Sequence, residues 1–169
     1  MRILITGGVK SGKSSRALVL ARELFGNPKY FIATAEACDD EMGRRIERHR
    51  QERKNSDGSD EFITLEEAAD LAGALEKTGN NCLIDCIPMW INNLMYYRRE
   101  DDFDSLLENS IALLPENCII VTNETGLGNI PFDEHTRRYN LLLAEANRAF
   151  AAAADRVELM VSGIPLRVK

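Results

Sequence analysis

Several features that would place this chain in a special class are missing from it. No apolar run in its 169 residues reaches the ~18 positions that a helix needs to cross a bilayer. The opening MRILITGG runs a short apolar stretch straight into glycines, without the longer apolar segment and small-residue cleavage site of a secretory leader, so a cytoplasmic location is expected. An excess of basic charge is also absent. Lys and Arg number 21 against 27 Asp and Glu, a formal net charge of −6, which argues against a broad nucleic-acid or anionic-membrane surface and leaves room only for local basic clusters. Four cysteines (Cys38, Cys82, Cys86 and Cys118) never form C-x-x-C, and they read as buried reduced thiols rather than a zinc site or disulfide framework. There is no internal repeat and no low-complexity tract. What remains is 44% hydrophobic and 28% charged, the make-up of a globular chain expected to fold as one domain over residues 1–169.

Apolar strands alternate with helical patterns along the chain. Arg2 to Thr6, Tyr30 to Thr34, Asn81 to Asp85 and Cys118 to Thr122 read as buried strands. Helices are expected from about Ser14 to Phe25, Asp39 to Lys54, Glu66 to Lys77, Pro88 to Arg98, Phe103 to Leu114 and Asp133 to Asp155. Asn55 to Asp60 (NSDGSD) is the most linker-like stretch and is expected as an exposed loop. Continuous apolar strands separated by helices imply an α/β fold with a mostly parallel central sheet and helices on both faces. The closing segments Val157 to Ser162 and Leu166 to Val168 leave no room for a crossover helix, so the C-terminal strand is expected to run antiparallel. In such sheets ligands bind at the carboxyl ends of the strands.

The first strand runs into Gly7-Gly8-Val9-Lys10-Ser11-Gly12-Lys13-Ser14, which is G-x-x-x-x-G-K-[ST] in the strand–loop–helix setting that the motif requires. Glycines let backbone N–H groups close on phosphate oxygens, and the following helix adds the positive end of its dipole. The Lys13 ammonium can reach the outer phosphates, and the Ser14 hydroxyl can ligate Mg²⁺. A second strand, Cys82-Leu83-Ile84-Asp85, ends in a carboxylate of the kind that holds Mg²⁺ beside a phosphate loop, although an aspartate in that place also serves as an ordinary cap. These residues establish nucleotide phosphate binding and leave the reaction open.

Only two histidines occur. His49 lies in a charged helix, and helical spacing places Arg45, His49 and Arg53 on one stripe at i, i+4 and i+8. Neighbouring guanidinium groups oppose protonation of an imidazole, and a neutral imidazole is a nucleophile beside cations that can hold a phosphate chain. A solvated surface helix laced with acid–base pairs accounts for the same residues. His135, after Pro131, reads as a surface or capping residue. Trp90, Tyr96 and Tyr97 offer either packing aromatics or a platform for a flat ligand.

The order of motifs resembles the family of bifunctional adenosylcobinamide kinase/adenosylcobinamide-phosphate guanylyltransferases. ILITGGVKSGKS, YFIATAEACDDEMGRRIERHRQER, CLIDCIPMWINNLM and the stretch from VTNETGLGNIPFDEH to the C-terminus carry the likeness over nearly the whole chain. The resemblance implies a RecA-like P-loop fold, Mg²⁺, GTP and ATP as substrates, and a homotrimer. It implies phosphorylation of adenosylcobinamide followed by GMP transfer from GTP through a GMP–histidine intermediate. The family's nucleophile falls on His49 and its nucleotide contacts fall on Gly7 to Ser14, on Ala33, Thr34 and Ala35, on Arg50, Gln51, Glu52 and Arg53, and on Glu66 and Asp85. The chain departs from the family after the histidine helix, where Lys54 follows Arg53 and Phe62 stands in the place of a tryptophan. No N-K-x-D motif is present, so the preference for guanine rests on the resemblance alone. The alternatives are a P-loop small-molecule kinase with a structural His49, and a non-enzymatic nucleotide-dependent switch.

Overall fold

The structure, a computed structural model, describes residues 1–37, 39–128 and 130–169. Cys38, one of the four expected thiols, and Asn129 therefore lie outside the described residues. Seven strands make one sheet: β1 (Arg2–Gly7), β2 (Tyr30–Ala33), β3 (Ile63–Glu66), β4 (Asn81–Asp85), β5 (Asn117–Val121), β6 (Arg156–Val161) and β7 (Ile164–Arg167), in the order β3-β2-β4-β5-β1-β6-β7. Every neighbouring pair is parallel except β6 and β7, which form an antiparallel hairpin with Val161 opposite Ile164. The expected mostly parallel sheet and antiparallel C-terminal strand are both present.

Among the described residues, six α-helices accompany the sheet: α1 (Lys13–Leu24), α2 (Asp40–Glu52), α3 (Leu71–Glu76), α4 (Ile87–Tyr96), α5 (Phe103–Ala112) and α6 (Glu134–Ala153). Side-chain alternation along each strand sends successive residues to opposite faces. Ile3 and Ile5 of β1, Leu83 of β4 and Ile119 of β5 pack under α1 through Ala17, Leu20 and Ala21. Leu4, Ile84 and Ile120 point the other way, to a larger core closed by α3, α4, α5 and α6 around Trp90, Phe103 and Phe150. Both faces are therefore covered, as buried parallel strands require.

Helix α2 belongs to neither layer and contains no buried residue. Polar anchors at its carboxyl end hold it. Arg53 lies over the Phe31 ring with its guanidinium carbon 3.9 Å from the ring centre. The Glu52 carbonyl accepts a hydrogen bond from Arg22. The Arg53 carbonyl accepts one from the Glu61 backbone, and Glu61 in turn pairs with Arg22 and Lys29. At the other end, Asp39 caps the helix by accepting from the Met42 backbone N–H at 2.7 Å.

One expected element is corrected. The helix expected from Glu66 begins only at Leu71, and Ile63–Glu66 is a parallel edge strand paired with β2. The EEAAD run favours a helix locally, but backbone pairing with β2 holds Glu66 in the strand. Asp70, accepting from Gly73 N–H, then caps α3. Asn55 to Asp60 is exposed as expected, pinched at its base by a bridge between Lys54 and Asp60.

A buried ion cluster joins α1 to β6. Glu158 is almost fully buried, and its carboxylate accepts two hydrogen bonds from Arg16, at 2.9 and 3.0 Å, and a further one from Arg156. The Arg16 hydrogen bond, above all, holds this carboxyl below the ordinary glutamate value. A depressed carboxyl adds stability that is present above its unfolded value near 4.5 and is lost as pH falls through the folded value. Glu158→Gln should therefore lower unfolding stability by about 2 kcal/mol or more at neutral pH in urea titrations. The gap from wild type should narrow as pH drops below about 4.5.

Candidate functional site

The carboxyl ends of β1, β2 and β4 meet beneath α2, and the predicted motifs converge there. The loop after β1 is drawn in by its glycines. Gly12 takes φ +94° at the start of α1, and a Cβ at Gly7 would stand 2.5 Å from the Met160 carbonyl oxygen of β6. The loop is braced from both sides, since Gly7 O accepts from the Glu124 backbone and Ser11 O accepts from Gly163 in the β6–β7 turn. Lys13 folds back over it and donates to the Gly8 carbonyl at 2.6 Å. Burial pushes the Lys13 ammonium below its ordinary value, against the pull of Cys86 and Asp85.

Asp85 ends β4 on the floor of a cavity of about 470 Å³. Its carboxylate shares the cavity with Ser14 and lies 4.0 Å from His49 Nδ1, too far for a hydrogen bond but within ion-pair range once the ring is protonated. Burial pushes the Asp85 carboxyl above its ordinary value, while His49, Arg53, the Ser14 hydroxyl and Arg45 pull it down. Ser14, Asp85 and His49 line the cavity together with Ala33, Ala35, Arg50, Arg53 and Glu66, so the loop, the acidic strand and the histidine helix share one site.

Other expected contacts fall elsewhere. Thr34 is fully buried, and its hydroxyl donates to Cys86 O at 2.7 Å and accepts from Cys86 N at 2.9 Å. Its own carbonyl accepts from the Asn93 side chain. Thr34 is thus a brace between the ends of β2 and β4, while its neighbours Ala33 and Ala35 face the cavity. Gln51 bonds to Glu47 along the helix surface and lines a separate groove beside β3; Glu52 is exposed and lines neither space. Val9 and Lys10 stand exposed at the tip of the loop. Arg50 is tied to Glu66 and Glu47. Trp90 is buried in the core and donates to Ala69 O, whereas Tyr96 and Tyr97 are exposed, with the Tyr97 hydroxyl on Glu36. His135 lies exposed in the first turn of α6, which Asp133 caps.

Glu36, Met42, Ile46, Glu67 and Met89 also line the cavity and were not among the expected site residues. Glu36 and Glu67 follow the carboxyl ends of β2 and β3, a position that marks ligand contacts in such sheets. The second is hidden in the sequence because Glu66, the last residue of β3, opens a run with a helical pattern.

The family model for cobinamide kinase / cobinamide phosphate guanyltransferase matches residues 3–168. The chain belongs to that family. Among similar proteins is the bifunctional adenosylcobalamin biosynthesis protein CobP of Pseudomonas aeruginosa, 40% identical over 176 residues that span 100% of this chain and 98% of the relative. Another is the bifunctional adenosylcobalamin biosynthesis protein CobU of Escherichia coli, 31% identical over 188 residues, with all of both chains covered. Among solved structures, a KaiC-like protein, PH0186 of Pyrococcus horikoshii, superposes with a TM-score of 0.54 at 17% identity, covering 94% of this chain and 71% of the other. That likeness speaks to the fold, which is the RecA-like P-loop arrangement.

Membership of the cobinamide kinase family focuses attention on which side chains in the cavity can react. Cys86 touches it, but burial pushes its thiol up to about 12, and Cys82 of β4 also rises to about 12. The Cys118 thiol is raised as well by burial. Reactive cysteines need thiolate character at neutral pH, which these lack. Iodoacetamide at pH 8 should therefore leave Cys82, Cys86 and Cys118 unmodified in the native protein and alkylate all three after unfolding, as read by peptide mass mapping.

Proposed function

We propose that this protein phosphorylates adenosylcobinamide with a nucleoside triphosphate, ATP or GTP. It then transfers GMP from GTP to adenosylcobinamide phosphate, giving adenosyl-GDP-cobinamide. The observation that carries this reading is the approach of His49 to Asp85, 4.0 Å apart, in the cavity that Ser14 of the phosphate loop also lines. A solvated histidine on a charged helix has no reason to face a half-buried carboxylate beside a phosphate cradle.

In this reading one nucleotide-binding domain, residues 1–169, carries both steps. Backbone N–H groups of Gly7 to Ser14 cradle the phosphates, and Lys13 leaves the Gly8 carbonyl to meet their charge. Arg53, fixed on Phe31, and the Arg50–Glu66 pair border the nucleotide, with Ala33 and Ala35 as the flat wall. The Ser14 hydroxyl and Asp85 carboxylate are hard oxygen donors that line the same cavity, a set that suits Mg²⁺ better than zinc. Those two residues would hold the ion, which when bound supplies positive charge against the phosphates.

Guanylyl transfer divides into two displacements at the α-phosphorus. Nδ1 of His49 faces Asp85, leaving Nε2 for attack. The Nε2 lone pair forms the N–P bond as the bond from the α-phosphorus to the bridging oxygen breaks. The electron pair leaves on pyrophosphate, and the positive charge that develops on the ring lies next to the Asp85 carboxylate. The corrinoid phosphate then displaces the histidine and restores it. Assembly as a homotrimer belongs to the same proposal and is open to sedimentation analysis.

Incubation with α-labelled GTP and Mg²⁺ should give an acid-labile, base-stable label on the protein that His49→Ala lacks. Mass spectrometry of the corrinoid after incubation with ATP alone should show one added phosphate, and with GTP the added GMP. A wild type that never takes label excludes the covalent route, and an unchanged corrinoid leaves only a nucleotide-binding protein.

A further inference from the structure

The three cations that α2 and its C-cap direct at the cavity are not equivalent. Arg53 is buried and stacked on Phe31, and Arg50 is committed to Glu66 and Glu47. Arg45, one turn before His49 on the same stripe, also lines the cavity, yet it forms no ion pair or hydrogen bond among the described residues. It shares the cavity with Ser14 of the phosphate loop and with Asp85, and its charge is felt at Lys13, Asp85 and Cys86. Holding a guanidinium near an ammonium is unfavourable when nothing lies between them, and the arrangement becomes favourable once several negative charges do.

We infer that Arg45 is a catalytic residue of the guanylyl-transfer step, its guanidinium binding the departing pyrophosphate while His49, one turn further along the helix, takes the α-phosphorus. The inference rests on the proposed GMP–histidine route and adds to it a division of labour along one helix face. The nucleophile and a counter-charge for the leaving group are carried on the same rigid element at a fixed spacing. As the bond between the α-phosphorus and the bridging oxygen lengthens, the electron pair collects on an oxygen between Lys13 and Arg45. A planar fork donating two N–H groups stabilises that oxygen more than the ground-state triphosphate. When Arg45 is removed, the interaction that strengthens in the transition state is lost, and the contacts that Arg50, Arg53 and Glu66 would make to the nucleotide are left intact.

Arg45→Gln and Arg45→Lys test this. Arg45 is exposed, and thermal melting checks that both variants fold as wild type. Rapid-quench labelling with α-labelled GTP at saturation should show the Arg45→Gln rate down by about 10²-fold or more, with Arg45→Lys partly restored. GMP, which has no pyrophosphate to lose, should bind both variants within about twofold of wild type. An unchanged labelling rate overturns the inference. So does an equal loss of GMP and GTP affinity at an unchanged saturated rate, since that marks a ground-state contact to the nucleoside. Wild type and His49→Ala run alongside: a labelled wild type upholds the covalent route whatever Arg45 does, and an unlabelled one removes both claims.

Discussion

One carboxylate organises this molecule's chemistry. Asp85 stands at the end of β4, shares its cavity with Ser14 of the phosphate loop and faces His49 of α2, so three segments far apart in sequence answer to one half-buried carboxylate. A carboxylate taken from water is costly unless cations and donors surround it. Here those partners, His49, Arg53, Ser14 and Arg45, are the groups that the proposed route would employ. In that route the polarity that serves the chemistry and the polarity that satisfies Asp85 come from the same side chains.

Helix α2 shows how a highly charged segment is positioned without a core of its own. It buries nothing, and the contacts that fix it gather at its carboxyl end, where Arg53 stacks on Phe31 and the backbone ties to Arg22 and Glu61. The stripe facing the cavity is thereby kept free of hydrophobic packing, and Arg45 and His49 remain available to a ligand. Thr34 works similarly from below, locking the ends of β2 and β4 together so that the cavity floor is a single rigid surface.

Much of this was legible in the chain itself. Consecutive apolar triplets such as Ile3-Leu4-Ile5 and Ile119-Ile120-Val121 read as strands covered on both faces and point to the parallel sheet. The three-residue gap before Leu166 required a reversal, which the β6–β7 hairpin supplies. The phosphate loop was recognisable because its chemistry is local. Strand β3 was not, because it is a short edge strand with three of its four residues exposed, and its pairing with Tyr30 to Ala33 is a long-range fact that the helix-forming EEAA run conceals. Periodicity put His49 and Arg53 on one stripe, but nothing in the spacing could tell that Arg53 would be spent on an aromatic ring and Arg45 left open. The family resemblance implies a nucleotide contact at Thr34, whereas its hydrogen bonds to Cys86 depend on where β4 ends.

The close approach of Gly7 to β6 carries a lesson about motif glycines. A side chain at position 7 would collide with the Met160 carbonyl before any nucleotide entered. The first glycine of the loop is thus required by the sheet as much as by the phosphate, and a descendant of this chain that had abandoned nucleotides altogether would still be obliged to keep it. Its presence in a related sequence testifies to inherited architecture; only the lysine and serine at the other end of the loop speak for retained chemistry.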